Sequence, residues 1–205
     1  MSATRARDAG RPTRLPARRA GPLWQFLRGF AKHPVMVGSV IPSSRTLIDK
    51  MLAPVDWPNC KLFVEYGPGV GTFCRPILDR LPADATLITI DTNSDFTDYL
   101  RDTIHDPRLI AVTGSAADVG KIIAAQGFAH ADFILSGLPF STLPDGIGPR
   151  IAAETAAALR VGGAFLVYQF SPKVRDFIAP HFDRIDSGFE WRNLPPAKLF
   201  WAWKS

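Results

Sequence analysis

The chain has 205 residues, 46% of them hydrophobic, and a formal net charge of +5. That length suits one domain with a sizeable core, and the absence of any run of 18 or more apolar residues argues against a membrane-spanning helix. Two cysteines, Cys60 and Cys74, are too few for a disulfide framework or a metal cluster and read as ordinary reduced thiols.

In chain order, residues 1–20 are rich in Arg, Ala, Gly and Pro and read as a disordered basic leader. A secretory signal is not expected, because charges interrupt "LWQFLRGFAK" before an apolar stretch builds. Residues 1–33 hold eight basic residues against Asp8, a net +7; the remaining sixteen bases face eighteen acids, a net −2. Such asymmetry points to a polyanionic partner for the arm, nucleic acid or an anionic lipid surface. Wound as a helix, 23–33 gathers Leu23, Trp24, Phe26, Leu27, Phe30 and Ala31 within an arc of about 160°. Gln25, Arg28, Gly29 and Lys32 lie opposite, with His33 at the boundary. "IPSSRTLIDKML" reads as a second helix capped by Ser43 or Ser44. Residues 21–55 are therefore expected to form N-terminal helices that cap the fold or associate with a membrane.

From Cys60 onward short apolar runs alternate with helical stretches. "KLFVEY" (61–66), "TLITID" (86–91), "LIAVTG" (109–114), "ADFILSG" (131–137) and "GGAFLVYQF" (162–170) are strands. "TFCRPILDRL", "DFTDYLRDTI", "DVGKIIAAQ", "GPRIAAETAAALR" and "SPKVRDFIAPHF" are helices. "FDRIDSGFEWRN" and "AKLFWAWK" read as a closing hairpin around Asn193 and Pro195. Alternation of this kind predicts an α/β domain over 56–205 with a parallel sheet and right-handed crossovers.

The strongest local signal is "VEYGPGVGT", Val64 to Thr72. Gly67, Gly69 and Gly71 let the backbone turn sharply and approach a ligand. The spacing is not the dinucleotide fingerprint, since the third glycine comes one place early. Glu65 suits a cationic amino group better than a pyrophosphate, and a strand ending in h-E-x-G-x-G-x-G is the signature of S-adenosylmethionine (SAM) methyltransferases. Asp91 ends the second strand and can accept ribose hydroxyls, with Thr92 beside it. In "GSAAD" (114–118) Ala117 leaves room for adenine and Asp118 can accept from its amino group, or else cap the next helix. Tyr66, after Glu65, and Ser136, at the end of the fourth strand, complete the expected cofactor set.

"FLRGFAKHPVMVGSVIPSS", "VEYGPGVG", "GSAAD" and "SGLPFSTLP" make the chain from about Leu23 onward resemble the rhizobial-type bacterial phospholipid N-methyltransferases. It is also similar to the related rRNA adenine dimethyltransferases. The resemblance implies a class I, Rossmann-like SAM-dependent methyltransferase: a seven-stranded sheet with an antiparallel last strand, preceded by amphipathic helices. It implies SAM as cofactor, no metal, and stepwise methylation of phosphatidylethanolamine toward phosphatidylcholine by a cytoplasmic enzyme held peripherally at the inner membrane. Family members often carry Glu where this chain has Asp91, and the Arg-rich first twenty residues have no counterpart in the family pattern.

The acceptor segment separates lipid from RNA. Adenine methyltransferases place Asn or Asp at the head of N-x-P-[YF]; here Gly137 heads "GLPF" and offers no side chain to a nucleobase amine. An alkyl amine needs loss of one proton, a dry site and alignment. Phe140 and Tyr168, near the ends of strands four and five, are expected to flank the methyl donor and hold a quaternary cation on their ring faces. Tyr168 is the expected proton acceptor, ahead of His33. RNA adenine methylation, another amine lipid such as ornithine lipid, and a non-catalytic SAM-binding role are the alternatives. A lipid acceptor would explain the aromatic and basic front helix and the arginine leader as contacts with an anionic membrane surface.

Overall fold

The computed structural model describes residues 43–205. The basic leader, the 23–33 helix and His33 lie outside the described residues.

Helix α1 (Arg45–Leu52) starts where the Ser44 hydroxyl accepts the Leu47 N–H, the cap expected of that serine. Its apolar face, Leu47, Ile48, Met51 and Leu52, joins the core cluster that holds Phe63, Phe133 and Leu166. This helix is thus built into the sheet's core, and truncation of Leu47 to Ala would cost about 2–5 kcal/mol.

Strands β1 (Leu62–Tyr66), β2 (Thr86–Asp91), β3 (Leu109–Thr113), β4 (Ala131–Ser136) and β5 (Leu159–Gln169) run parallel; β6 (Arg184–Glu190) and β7 (Ala197–Trp203) follow. The sheet order is β3-β2-β1-β4-β5-β7-β6, with β7 antiparallel to both neighbours. Helices α2 (Cys74–Leu78) and α3 (Ser94–Thr103) cover one face with α1. Helices α4 (Val119–Ala125), α5 (Ile147–Ala158) and α6 (Val174–Ile178) cover the other. This is the fold of class I SAM-dependent methyltransferases.

Two features position a site. The chain builds outward from β1 through β2 to β3, then returns to place β4 on the other side of β1. Ligands bind α/β sheets at such a reversal, beyond the carboxyl ends of the strands. Because β7 runs backward, the turn between β6 and β7 also emerges at that carboxyl rim.

Strand β5 begins three residues before the expected Gly162. Ala131 pairs with Leu159 but Phe133 pairs with Ala164, so extra residues bulge out between them. Gly162 takes φ +76°, and a Cβ on Gly163 would lie 2.6 Å from the Asp132 carbonyl oxygen. Glycines that read as the start of a strand are the bulge inside it.

Candidate active site

Strand β1 is buried along its whole length, so its side chains alternate between two covered faces. Glu65 turns toward α1–α3 and Tyr66 toward α4–α6. The chain then enters the glycine loop, where Gly67, Gly69 and Gly71 adopt φ of +61°, +53° and +78°. Only glycine takes that conformation cheaply, and at Gly71 a Cβ would also lie 2.6 Å from Leu100 Cδ2. The loop closes on itself through Gly71 N–H to the Pro68 carbonyl and is tied to β2 through Gly67 N–H to the Ile90 carbonyl, each 2.9 Å.

Glu65 is 2% exposed, and the Cys74 thiol donates to its Oε2 at 3.2 Å. Burial pushes its carboxyl up to about 7; the Cys74 hydrogen bond opposes that rise and the nearby Asp91 charge adds to it. In register beside it on β2 sits Thr89, whose buried Oγ1 is the one buried side-chain oxygen lacking a hydrogen-bond partner among the described residues. A carboxylate this short of donors suits a cationic amine.

Asp91, at the tip of β2, is partly buried, which raises its pKa; backbone N–H groups of Asn93, Gly69 and Thr92 oppose the rise. The Asn93 bond is 2.9 Å. The carboxylate therefore links the β2 end to the glycine loop. Thr92 beside it is exposed. Ser115 caps a single helical turn, Ala116–Asp118, by accepting the Ala117 N–H. Ala117 is buried, and Asp118 does not cap α4 with its side chain. Its carboxylate accepts from Arg150 at 3.1 Å, with Lys121 3.6 Å away.

On the other side of the switch point, Ser136 accepts the Leu138 N–H and starts the acceptor loop. Gly137 lies against Tyr168: a Cβ at 137 would be 2.2 Å from the tyrosine hydroxyl oxygen. The tyrosine thus fills the space of the missing side chain. Its ring stacks on Phe73 at 5.0 Å, and its hydroxyl bonds the Ser43 side chain. Burial, then the Glu65 charge, raise the Tyr168 pKa. A cleft opens here, lined by Gly137, Leu138, Pro139, Tyr168, Phe170 and Ser171.

Two expected site residues are directed elsewhere. The Tyr66 side chain is 0% exposed and bonds Thr155 on the far face, because its neighbour Glu65 occupies the crevice face. Only its carbonyl reaches the rim, where it accepts the Gly137 N–H at 3.3 Å. Phe140 is also turned to the far face, its ring 6.5 Å from Phe165 and 6.2 Å from Phe177. It is not brought to Tyr168, whose aromatic neighbours are Phe73 and, across the cleft lining, Phe170. Those two rings, Ser43 and the Cys74 thiol are the site features that sequence reasoning passed over. Strand parity alone would have found the Tyr66 orientation.

The chain is 31% identical over 179 residues to the ornithine lipid N-methyltransferase of Singulisphaera acidiphila, covering 86% of this chain and 93% of that one. The chain belongs to that enzyme's family. It is a SAM-dependent methyltransferase. Solved structures share its fold: a precorrin-6y C5,15-methyltransferase from Geobacter metallireducens superposes with a TM-score of 0.63 at 13% identity, over 79% of this chain and 89% of that one. A SAM-dependent methyltransferase from Listeria monocytogenes gives 0.60 at 11% identity, over 79% and 100%. No protein-family profile matches the chain. The residues present fit SAM: the methyltransferase has a left-handed glycine cradle, crowded against any side chain at Gly71, and beneath it a buried carboxylate short of donors beside an unpartnered hydroxyl. Among the described residues, no group of three or more His, Cys, Asp or Glu side chains is placed to hold a metal ion.

Proposed function

We propose that the enzyme methylates the primary amine in the headgroup of a membrane lipid, phosphatidylethanolamine or ornithine lipid, in successive steps. The observation that carries this reading is the Gly137–Tyr168 pair. A neutral hydroxyl stands where a nucleobase methyltransferase would need a carboxamide or carboxylate, and the cleft beside it is apolar and aromatic. An alkyl amine needs no more than that once it has lost a proton.

Bound SAM supplies a methyl group on an electron-poor sulfur. Glu65 holds the amino group of its amino-acid part, Asp91 accepts the ribose hydroxyls, and Ala117 and Asp118 bound the adenine. Ser136 keeps the acceptor loop against the crevice. Burial in the cleft disfavours the ammonium form of the acceptor and lowers its pKa. Tyr168 accepts an N–H of the amine and turns the nitrogen lone pair toward the donor side. Its raised pKa keeps the hydroxyl protonated, so it relays the departing proton to water rather than acting as a phenolate base. Phe73 fixes the tyrosine ring, and Phe170 offers a ring face to a methylated cation.

Phosphatidylethanolamine and ornithine lipid both carry a primary amine a few bonds from an anion, phosphodiester in one and carboxylate in the other. The kinship with an ornithine lipid enzyme supports the second lipid as strongly as the acceptor segment supports the first. A lipid acceptor would place the enzyme at a membrane surface. The test is incubation with labelled SAM and vesicles holding one or other lipid, with ribosomal RNA in parallel. Label in methylated lipid supports the reading, and the faster lipid names the substrate. Label confined to RNA overturns it, as does SAM binding with no acceptor labelled at all.

A further inference from the structure

Five large hydrophobic side chains stand exposed among the described residues, and four sit on one rim. Phe170, 49% exposed, follows the end of β5; Phe189, Trp191 and Leu194, at 51%, 67% and 81%, belong to the end of β6 and the turn into β7. The fifth, Val161, is at the opposite end of the sheet. One row of pairing, Gln169–Lys198–Phe189, brings the two groups across β7. An exposed apolar cluster of this kind marks a contact surface.

The turn is wired to the cleft. The Asn193 side chain accepts the Ser44 N–H at 2.8 Å, and Ser43 bonds the Tyr168 hydroxyl. Lys50 holds the Phe189 carbonyl at 2.7 Å. The apolar turn is therefore one residue removed from the group facing the acceptor.

Its charge says what it meets. Arg192 lies over the Trp191 ring at 5.1 Å, and Lys173, Arg175 and Lys198 stand on the same rim. None of these four forms an ion pair among the described residues, and the exposed acids near them are Asp145 and Asp176. By sequence, the arm of residues 1–42 carries a net +7. Like charge argues against that arm as the cover of the turn; both complement an anionic surface. Tryptophan beside arginine is the pair that settles at a lipid headgroup boundary.

We propose that the β6–β7 turn, Phe189 to Leu194, together with Phe170, docks on an anionic lipid bilayer and holds the acceptor cleft at headgroup level. The idea rests on the lipid reading above, but its test needs no methylation. Full-length Leu194→Cys carries a polarity-sensitive fluorophore, selectively because Cys60 and Cys74 are buried; Val161→Cys is the control. The vesicles contain phosphatidylglycerol and phosphatidylcholine in equal parts and no amine lipid. The label at 194 should brighten and blue-shift on binding while that at 161 stays unchanged. Trp191→Ser combined with Leu194→Ser, melting as the native protein does, should lower vesicle partitioning about tenfold or more. Unchanged partitioning of that variant overturns the proposal. So does a label at 194 that is already shielded without vesicles, because residues 1–42 or a second copy would then be the cover. Docking through the turn with no lipid methylated upholds this proposal and sinks the preceding reading instead.

Discussion

The two halves of the carboxyl rim are made differently. The donor half, at the ends of β1 to β3, is defined by backbone: three glycines in left-handed conformations and a carboxylate held by main-chain N–H groups. The acceptor half, at the ends of β4 and β5 and the β6–β7 turn, is defined by side chains meeting across long sequence distances. Gly137 meets Tyr168, Tyr168 meets Phe73 and Ser43, and Asn193 meets Ser44. A backbone-made site fixes one ligand tightly, while a side-chain-made site can be retuned by single substitutions. Damage to one half should therefore leave the other working.

The hardest blow to the donor half is Glu65→Ala. Removing the buried carboxylate should weaken SAM binding about 100-fold or more in calorimetry, with vesicle binding unaltered; normal SAM affinity would falsify the assignment. Gly137→Ala is the counterpart on the acceptor side. Its Cβ would collide with the Tyr168 hydroxyl, and displacing that group should lower turnover about 100-fold while the SAM dissociation constant moves by less than about threefold. Equal loss of both would erase the distinction between the halves. Tyr168→Phe, milder, should lower turnover about tenfold without changing SAM affinity.

pH sharpens the contrast further. The Glu65 carboxyl sits at about 7 in the fold against 4.5 ordinarily. Below pH 4.5 it is protonated in both folded and unfolded chains. Between 4.5 and 7 the unfolded chain ionises first, so folded stability drains away as pH rises, by about 3 kcal/mol in all. Glu65→Gln lacks that loss and should melt above the native, SAM-free protein at pH 8, while binding SAM poorly. SAM affinity of the native protein should fall about fivefold from pH 7 to pH 6, as the carboxyl takes up its proton. The smallest effect is expected of Asp118→Asn, about threefold in SAM affinity, since Arg150 already shares that carboxylate.

The same contrast decides how much of the molecule was legible in its sequence. Strands such as 86–91 read at their true bounds because apolar runs between turn residues admit few alternatives. The sharp turn of the glycine loop and the place of Asp91 at the end of β2 were legible because both are set by local sequence. Tyr66 and Phe140 were misplaced because a fully buried strand gives no polar alternation to mark its faces, and a loop ring takes whichever core has room. Tyr168 was noticed for its strand position. Its partnership with Gly137, 31 positions earlier in the chain, is a tertiary fact, as is the Cys74 thiol beside Glu65.

The backward course of β7 has one more consequence. Among the described residues, strand β6 pairs with β7 alone, and β7 is the one link from β6 to β5. Strand β7 can leave the sheet only together with β6, and its departure would strip the Tyr168 main chain of its Leu199 neighbour. Amide hydrogen exchange should report β6 opening at least as fast as β7, and both faster than β1 and β4, which are clamped on both edges. The side of the sheet that carries Tyr168 thereby opens more readily than the central strands beneath the glycine loop.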